Sequence, residues 1–160
     1  MKVLFFLVTL FSSINAQANC EFFKNDSPLG TVEQEGDTYR VYLDNSYTAS
    51  IYSGGDIYQD GNRVAHVATS GFIFPNSEDD AEMGYAGSNG LIKNTVKLVE
   101  MNSDVTNTRF NFRAIGSSDR YDAIGPECAL SSIQTYVYLK IMNIDLTREF
   151  TAPAPHSAKR

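Results

Sequence analysis

The sequence predicts an all-β protein, an antiparallel β-sandwich with a closed up-and-down β-barrel as the alternative, and three observations support that fold class. Short segments with apolar side chains at every second position recur along the chain, and they are rich in β-branched and aromatic residues. Polar turns containing Asp, Asn and Gly separate these segments. Beyond the amino-terminal region, no stretch shows the periodicity of a helix of three turns. Seven or more such strands favour a sandwich or a barrel.

The first two strands are predicted at residues 38–43 and 47–52. In the first of them, Tyr39 and Val41 share one face while polar neighbours occupy the other, which is typical of a half-buried strand. The polar residues 44–46 between the two strands have the length of a hairpin connection.

A second hairpin is predicted at residues 57–59 and 62–67. Asp60-Gly61 lies between these strands, and an Asp-Gly pair readily adopts the positive φ angles of a type I′ turn. This is the clearest local signal in the sequence.

Three further strands are predicted at residues 91–101, 109–115 and 132–142. The last of them alternates so regularly that it predicts a long final strand with one apolar face. A short capped helix is predicted at residues 77–83, and residues 117–127 are interpreted as a surface connection before the final strand. We find no internal repeat of fixed period.

The amino-terminal segment carries the pattern of an export signal. Lys2 precedes an apolar run at residues 3–11, and Ala16 and Ala18 provide small residues for cleavage. Because that run is about half the length needed to cross a bilayer, we interpret residues 1–18 as a signal peptide cleaved after Ala16 or Ala18. The protein is therefore expected to be secreted and extracellular.

The remaining chain has the size of one domain. Residues 19–150 are predicted to form a single β-rich domain, and residues 151–160, which lack apolar periodicity, a flexible tail. The net charge of −6 makes this an acidic protein, which disfavours binding to nucleic acid or to anionic lipid. We expect no membrane insertion.

The chain contains two cysteines, Cys20 and Cys128. In an oxidising extracellular compartment, the simplest arrangement pairs them in one disulfide bond. Such a bond would hold the start of the mature chain beside a late part of the domain.

The motifs of common enzymes and metal sites are missing. The chain has two histidines and no Gly-x-Ser-x-Gly, Cys-x-x-Cys or His-Glu-x-x-His pattern. We therefore expect no catalytic residues and no cofactor. The acidic cluster at residues 78–82 offers weak candidates for a calcium site: Glu78, Asp79, Asp80 and Glu82.

Tyrosine is abundant and tryptophan is absent. Tyrosine on an exposed sheet face supplies flat contact area together with a hydroxyl group, which suits glycans and protein partners. Four tyrosines on the less apolar faces of predicted strands are candidates for a binding surface: Tyr42, Tyr52, Tyr136 and Tyr138. Asn25-Asp26-Ser27 predicts an N-glycosylation site at Asn25.

These observations favour a secreted, non-catalytic recognition or adhesion module that binds an extracellular protein or glycan. The alternative is a lipocalin-like carrier of a small apolar ligand, because the chain length and the predicted number of strands suit a closed barrel. The third hypothesis is a small secreted hydrolase that uses carboxylates, since two suitably spaced acids leave no sequence motif.

Overall fold

The strands form a closed antiparallel barrel in a computed structural model that describes residues 19–148. Each strand pairs with the next one along the chain, and the last pairs with the first. The all-β prediction is confirmed, with the barrel rather than the sandwich as its architecture. The strands are β1 Cys20–Lys24, β2 Ser27–Glu35, β3 Thr38–Leu43, β4 Ser46–Tyr52, β5 Asp56–Gln59, β6 Asn62–Val67, β7 Phe72–Phe74, β8 Gly84–Gly87, β9 Gly90–Lys93, β10 Val96–Ser103, β11 Arg109–Ala114 and β12 Tyr121–Ile124.

The two predicted hairpins are confirmed as β3–β4 and β5–β6. Asp60 and Gly61 both have positive φ, at 51° and 76°, as a type I′ turn requires. Inward-facing residues alternate with outward-facing ones along these strands, so that side chains such as Val41 and Ile57 are fully buried.

The segment from β4 to β7 contains a short repeat. Residues 49–58 and 65–74 share the pattern Ala-x-Ile/Val-x-x-x-Gly-x-Ile-Tyr/Phe. The two glycines, Gly55 and Gly71, have φ of 93° and 95°, and a Cβ atom at either would lie within 2.4 Å of a carbonyl oxygen on the next strand. The similarity is confined to these two segments and does not define a repeat of fixed period.

The final strand predicted at residues 132–142 is also wrong, because this segment is helical. It consists of α1, Ser131–Tyr136, followed by a π-helical turn, Val137–Ile141. We call residues 131–141 the central helix. Six consecutive residues, 133–138, are at most 4% exposed, so this part of the helix is surrounded on all sides. The closed barrel leaves no free edge that a further strand could join, and the apolar segment fills the interior instead.

Contacts with strands on different sides of the barrel place the central helix inside it. The Tyr136 hydroxyl donates to Thr48 Oγ1 on β4 at 3.4 Å. The Tyr138 hydroxyl lies 3.6 Å from Met101 Sδ on β10, and its ring packs edge-on against Phe112 on β11 with 5.6 Å between centroids. The helix therefore replaces the ligand cavity that an empty barrel of this size would enclose.

The predicted disulfide bond is confirmed between Cys20 and Cys128, which are separated by 108 residues. It joins the start of β1 to the 3₁₀ helix Pro126–Ala129, which directly precedes the central helix. We call this the disulfide end of the barrel. The bond thus fixes the point where the chain enters the interior.

The opposite end carries the acidic loop at residues 75–83, and we call it the acidic end. The chain leaves the interior here, where Leu146 packs 3.3 Å from the Cβ position of Gly84. The Lys93 ammonium donates to the carbonyl oxygens of Leu146 and Arg148 and holds the exit segment.

Three other element predictions are corrected. Residues 91–101 form parts of two strands, β9 and β10, because Asn94 and Thr95 adopt positive φ and make a turn. Residues 77–83 form turns rather than a helix, and residues 117–127 contain β12. The predicted signal peptide, the predicted tail and residues 149–150 at the end of the predicted domain lie outside the described residues. Between residues 19 and 148, no helix has the length and apolarity needed to cross a membrane.

Candidate functional site: an aromatic arc on the barrel exterior

Aromatic side chains on the outside of the barrel gather on one side. Among the described residues, the exterior Phe and Tyr rings lie on strands β3 to β8, apart from Phe23 on β1. They alternate along each strand with buried residues that face the interior. We call this surface the aromatic arc; it comprises Tyr42, Tyr47, Tyr52, Tyr58, Phe72, Phe74 and Tyr85.

Cross-strand neighbours in the arc form ring pairs. Tyr42 and Tyr47 are opposite each other on β3 and β4, with ring centroids 6.2 Å apart and the rings edge to face. Tyr52 on β4 and Tyr58 on β5 are diagonal neighbours, since Tyr58 lies opposite Ser50, and their rings also pack edge to face with centroids 5.6 Å apart. Such pairs hold one another in position, yet Tyr47 is 57% exposed and Tyr52 is 45% exposed. The rings are therefore both ordered and accessible.

The far side of the arc holds a third close pair. Phe72 on β7 lies opposite Tyr85 on β8, with centroids 5.2 Å apart. The Tyr85 ring lies over Gly87, where a Cβ atom would come within 2.4 Å of it. Glycine at this position therefore leaves room for the ring.

A cleft of about 460 Å³ opens over β2, β3 and β4 within the arc. Polar groups stand between its rings: Arg40 Nε lies 2.6 Å from Glu35 Oε2, and the Tyr47 hydroxyl lies 2.9 Å from Ser50 Oγ. The cleft therefore offers aromatic faces, hydroxyls and one ion pair together. Its lining residues are Glu35, Thr38, Arg40, Tyr42, Tyr47, Ser50 and Tyr52.

A charged cluster lies beside the cleft on β5 and β6. Asp56 bridges two side chains, with Arg63 at 2.9 Å and His66 Nδ1 at 2.8 Å. His66 Nε2 lies 3.6 Å from a carboxylate oxygen of Glu78, and Arg63 lies over the Tyr58 ring at 5.5 Å from its centroid. Both nitrogens of His66 face carboxylates, so neither faces a hydroxyl or thiol of the described chain that it could activate.

The opposite side of the barrel exterior is charged rather than aromatic. Asp122 on β12 is 4% exposed and accepts hydrogen bonds from Asn111 and from Arg120 Nε, the latter at 3.1 Å. The negative charge of Asp122 is the main reason why the pKa of Arg120 is raised. These bonds support β11 and β12 where the barrel closes.

The structure separates the four tyrosines predicted as a binding surface. Tyr42 and Tyr52 line the cleft. Tyr136 and Tyr138 are 1% and 0% exposed inside the barrel, and burial raises the pKa of both hydroxyls. Placing the latter two on an exposed face is wrong, because their segment is a helix rather than a strand.

Of the arc, only Tyr42 and Tyr52 are among the tyrosines predicted as a binding surface. Tyr47 lies directly opposite Tyr42 in a hairpin whose register is fixed by its short turn. The pairing of these two rings could therefore be predicted from the sequence. The pairing of Phe72 with Tyr85 could not be predicted in this way, because β7 and β8 are short and a nine-residue loop separates them.

Asp80 and Asn25, two of the other predicted site residues, make hydrogen bonds within the described chain. Asp80 of the acidic loop accepts hydrogen bonds from the backbone amides of Asn76 and Ser77, both at 3.1 Å. Within residues 19–148, no group of three or more His, Cys, Asp or Glu side chains is arranged to hold a metal ion. Asn25 lies in the β1–β2 turn, where its side chain accepts from the Arg120 amide at 2.9 Å and donates to Asp119 at 3.3 Å.

Comparisons of the chain with protein-family models, with curated proteins and with solved structures find no match.

Proposed function

We propose that this protein is a secreted, non-catalytic recognition module that binds an extracellular protein or glycan through the aromatic arc. The concentration of ordered, exposed rings on one side of the barrel carries this proposal. Scattered exposed apolar residues are normal on protein surfaces, whereas clustered ones mark interaction sites. Tyrosine is also enriched in protein recognition surfaces.

The filled interior favours this function over that of a carrier. A carrier barrel needs internal space for its ligand, and here Ile133, Tyr136 and Tyr138 occupy that space with at most 1% exposure. A ligand would therefore bind on the outside or at an end of the barrel.

The closed topology also restricts the mode of binding. Partners that add a strand to a sheet need a free edge, and each of the twelve strands within residues 19–148 is paired on both sides. Side-chain contacts are then the main source of affinity, which agrees with a surface rich in tyrosine.

Two observations support the extracellular and non-catalytic parts of the proposal. The disulfide bond is typical of an oxidising compartment. His66, the single histidine among the described residues, is held between two carboxylates rather than beside a nucleophile.

The proposal is tested by immobilising the protein and passing over it a panel of extracellular probes: collagen, mucin and soluble polysaccharides. We expect the wild type to retain at least one probe and the Tyr47→Ala/Tyr52→Ala variant to lose it. The released probe should have an unchanged mass, because no bond is cleaved. Retention by the double variant equal to that of the wild type, retention of no probe, or release of a cleaved probe would each contradict the proposal.

A further inference from the structure

We infer that the ligand of the aromatic arc is a neutral polysaccharide that lies across strands β3 to β8. This inference rests on the proposed function and narrows its ligand class. Three properties of the arc support it: the mixture of hydrogen-bonding groups in the cleft, the balance of charge, and the extent of the surface.

The cleft demands a ligand that both donates and accepts hydrogen bonds. Arg40 can only donate, the carboxylate of Glu35 can only accept, and the hydroxyls of Thr38 and Ser50 can do both. Sugar hydroxyls supply donors and acceptors in close succession, and the C–H faces of sugar rings suit contact with tyrosine. A proline-rich peptide, which also binds aromatic grooves, offers mainly carbonyl acceptors and few donors, so it would leave the oxygen of Glu35 that Arg40 does not contact and the hydroxyl oxygens of the cleft with few partners.

Charge indicates a neutral ligand rather than an anionic one. Arg40 is paired with Glu35, and Arg63 is paired with Asp56, so the arginines of the arc are already neutralised. Glu78 adds a further negative charge beside His66. A sulfated or carboxylated glycan would meet no uncompensated arginine here, and the whole chain carries a net charge of −6.

The arc is longer than a single sugar. Six neighbouring strands spaced by about 4.8 Å span roughly 24 Å of barrel surface. Tyr47 and Tyr52 lie near one end of this span, and Phe72 with Tyr85 lies near the other. Because β3 to β8 are half of the strands of the closed barrel, this span follows the curved wall. A chain of several sugar units that follows the curvature can contact both regions, which a small ligand cannot.

The test measures retention of the intact protein on insoluble cellulose, chitin, β-1,3-glucan and mannan, with immobilised heparin and a proline-rich peptide as comparators. We expect retention on at least one of the four neutral polysaccharides and none on heparin. Tyr47→Ala and Tyr52→Ala should each weaken it about tenfold, corresponding to loss of one ring contact. Glu35→Gln should weaken it severalfold.

Phe23→Ala is the matched control, because Phe23 is an exterior ring outside the arc; this variant should bind as the wild type does. Thermal melts establish that each variant is folded. Retention on none of the four polysaccharides, or retention that the arc variants leave unchanged, would overturn the inference. If the peptide or a protein probe of the earlier panel is bound instead, and the tyrosine variants lose it, the recognition function stands and only the ligand class is wrong.

Discussion

Gly55 shows how a single residue fixes the path of the barrel. Its positive φ turns the chain into β5, and its carbonyl oxygen accepts a hydrogen bond from the Val67 amide at 2.9 Å. The same arrangement recurs at Gly71, whose carbonyl oxygen accepts from the Ala86 amide at 2.9 Å. Strands β5 and β7 therefore begin in the same way, because a glycine with positive φ precedes each of them.

Replacing Gly55 should destabilise the barrel, and its neighbour provides the control. In Gly55→Ala the new Cβ would lie 2.0 Å from the Val67 carbonyl oxygen, at a φ that alanine rarely adopts. We expect a loss of more than about 2 kcal/mol in the free energy of unfolding. Gly54→Ala has open space around its Cβ and should change stability by less than about 0.5 kcal/mol. Urea denaturation compares the two; equal midpoints would contradict this account of the turn.

The buried hydroxyl of Tyr138 should lower the free energy of unfolding at alkaline pH. Burial raises the pKa of its hydroxyl above the ordinary value of 10.0. Below pH 10 both the folded and the unfolded chain hold this proton, so the contribution to stability is fully present. Above pH 10 the unfolded chain releases the proton while the folded chain retains it, and stability falls. We expect the free energy of unfolding to decrease between pH 9 and pH 11, and to decrease less in Tyr138→Phe, as urea titrations at each pH would measure. Identical pH profiles would show that Tyr138 is not the buried group responsible.

The central helix is the element that sequence reasoning could not assign. Residues 132–142 alternate like a strand and are rich in β-branched and aromatic side chains, which favour strands by propensity. Residues 133–138 are buried on every face. A fully buried segment has a nearly continuous apolar sequence whether it is a helix or a strand, so the sequence does not distinguish the two. The deciding factor is tertiary: β1 and β12 pair with each other, and this closure is not visible in local sequence.

The hairpins, by contrast, were predictable because their signals are local. Asp60-Gly61 specifies its turn within two residues, and the alternation around Val41 specifies which face is buried. The ring pair Tyr42–Tyr47 belongs to this predictable part. The choice between sandwich and barrel does not, since both architectures bury alternate residues in the same way.

Truncating a side chain of the central helix should leave a cavity inside the barrel. Ile133 is 0% exposed, and Ile133→Ala should lower the free energy of unfolding by about 2–5 kcal/mol. Lys140→Ala alters an exposed side chain of the same helix and should have an effect below about 0.5 kcal/mol. Thermal denaturation compares the variants. Equal stability would mean that the helix does not pack as an interior element.

At the scale of the whole molecule, the disulfide bond and the filled interior act together. The bond joins residues separated by 108 positions at the point where the chain enters the barrel. It therefore shortens the loop that must close before the central helix can pack inside.

Removing the bond should destabilise the protein strongly. In Cys20→Ala/Cys128→Ala the chain-entropy estimate predicts a loss of about 4–5 kcal/mol, measured by urea denaturation against the oxidised wild type. A loss below about 1 kcal/mol would show that strand pairing alone holds the two ends together.

The exterior is divided between an aromatic side and a charged side. The ion pairs around Asp122 support the strands that close the barrel, whereas the rings of the arc remain accessible although the core does not need them. A surface that is ordered but not required for packing is what a binding function would use.

Radical footprinting locates the surface of the intact protein that a bound probe covers. The protein is oxidised with and without each probe that it retains, and modification is quantified by mass spectrometry. We expect bound probe to protect Tyr47 and Tyr52, while Phe23 is modified to the same extent in both conditions. Protection confined to Phe23 and the charged side, or to the barrel ends, with Tyr47 and Tyr52 still fully modified, would contradict binding through the aromatic arc.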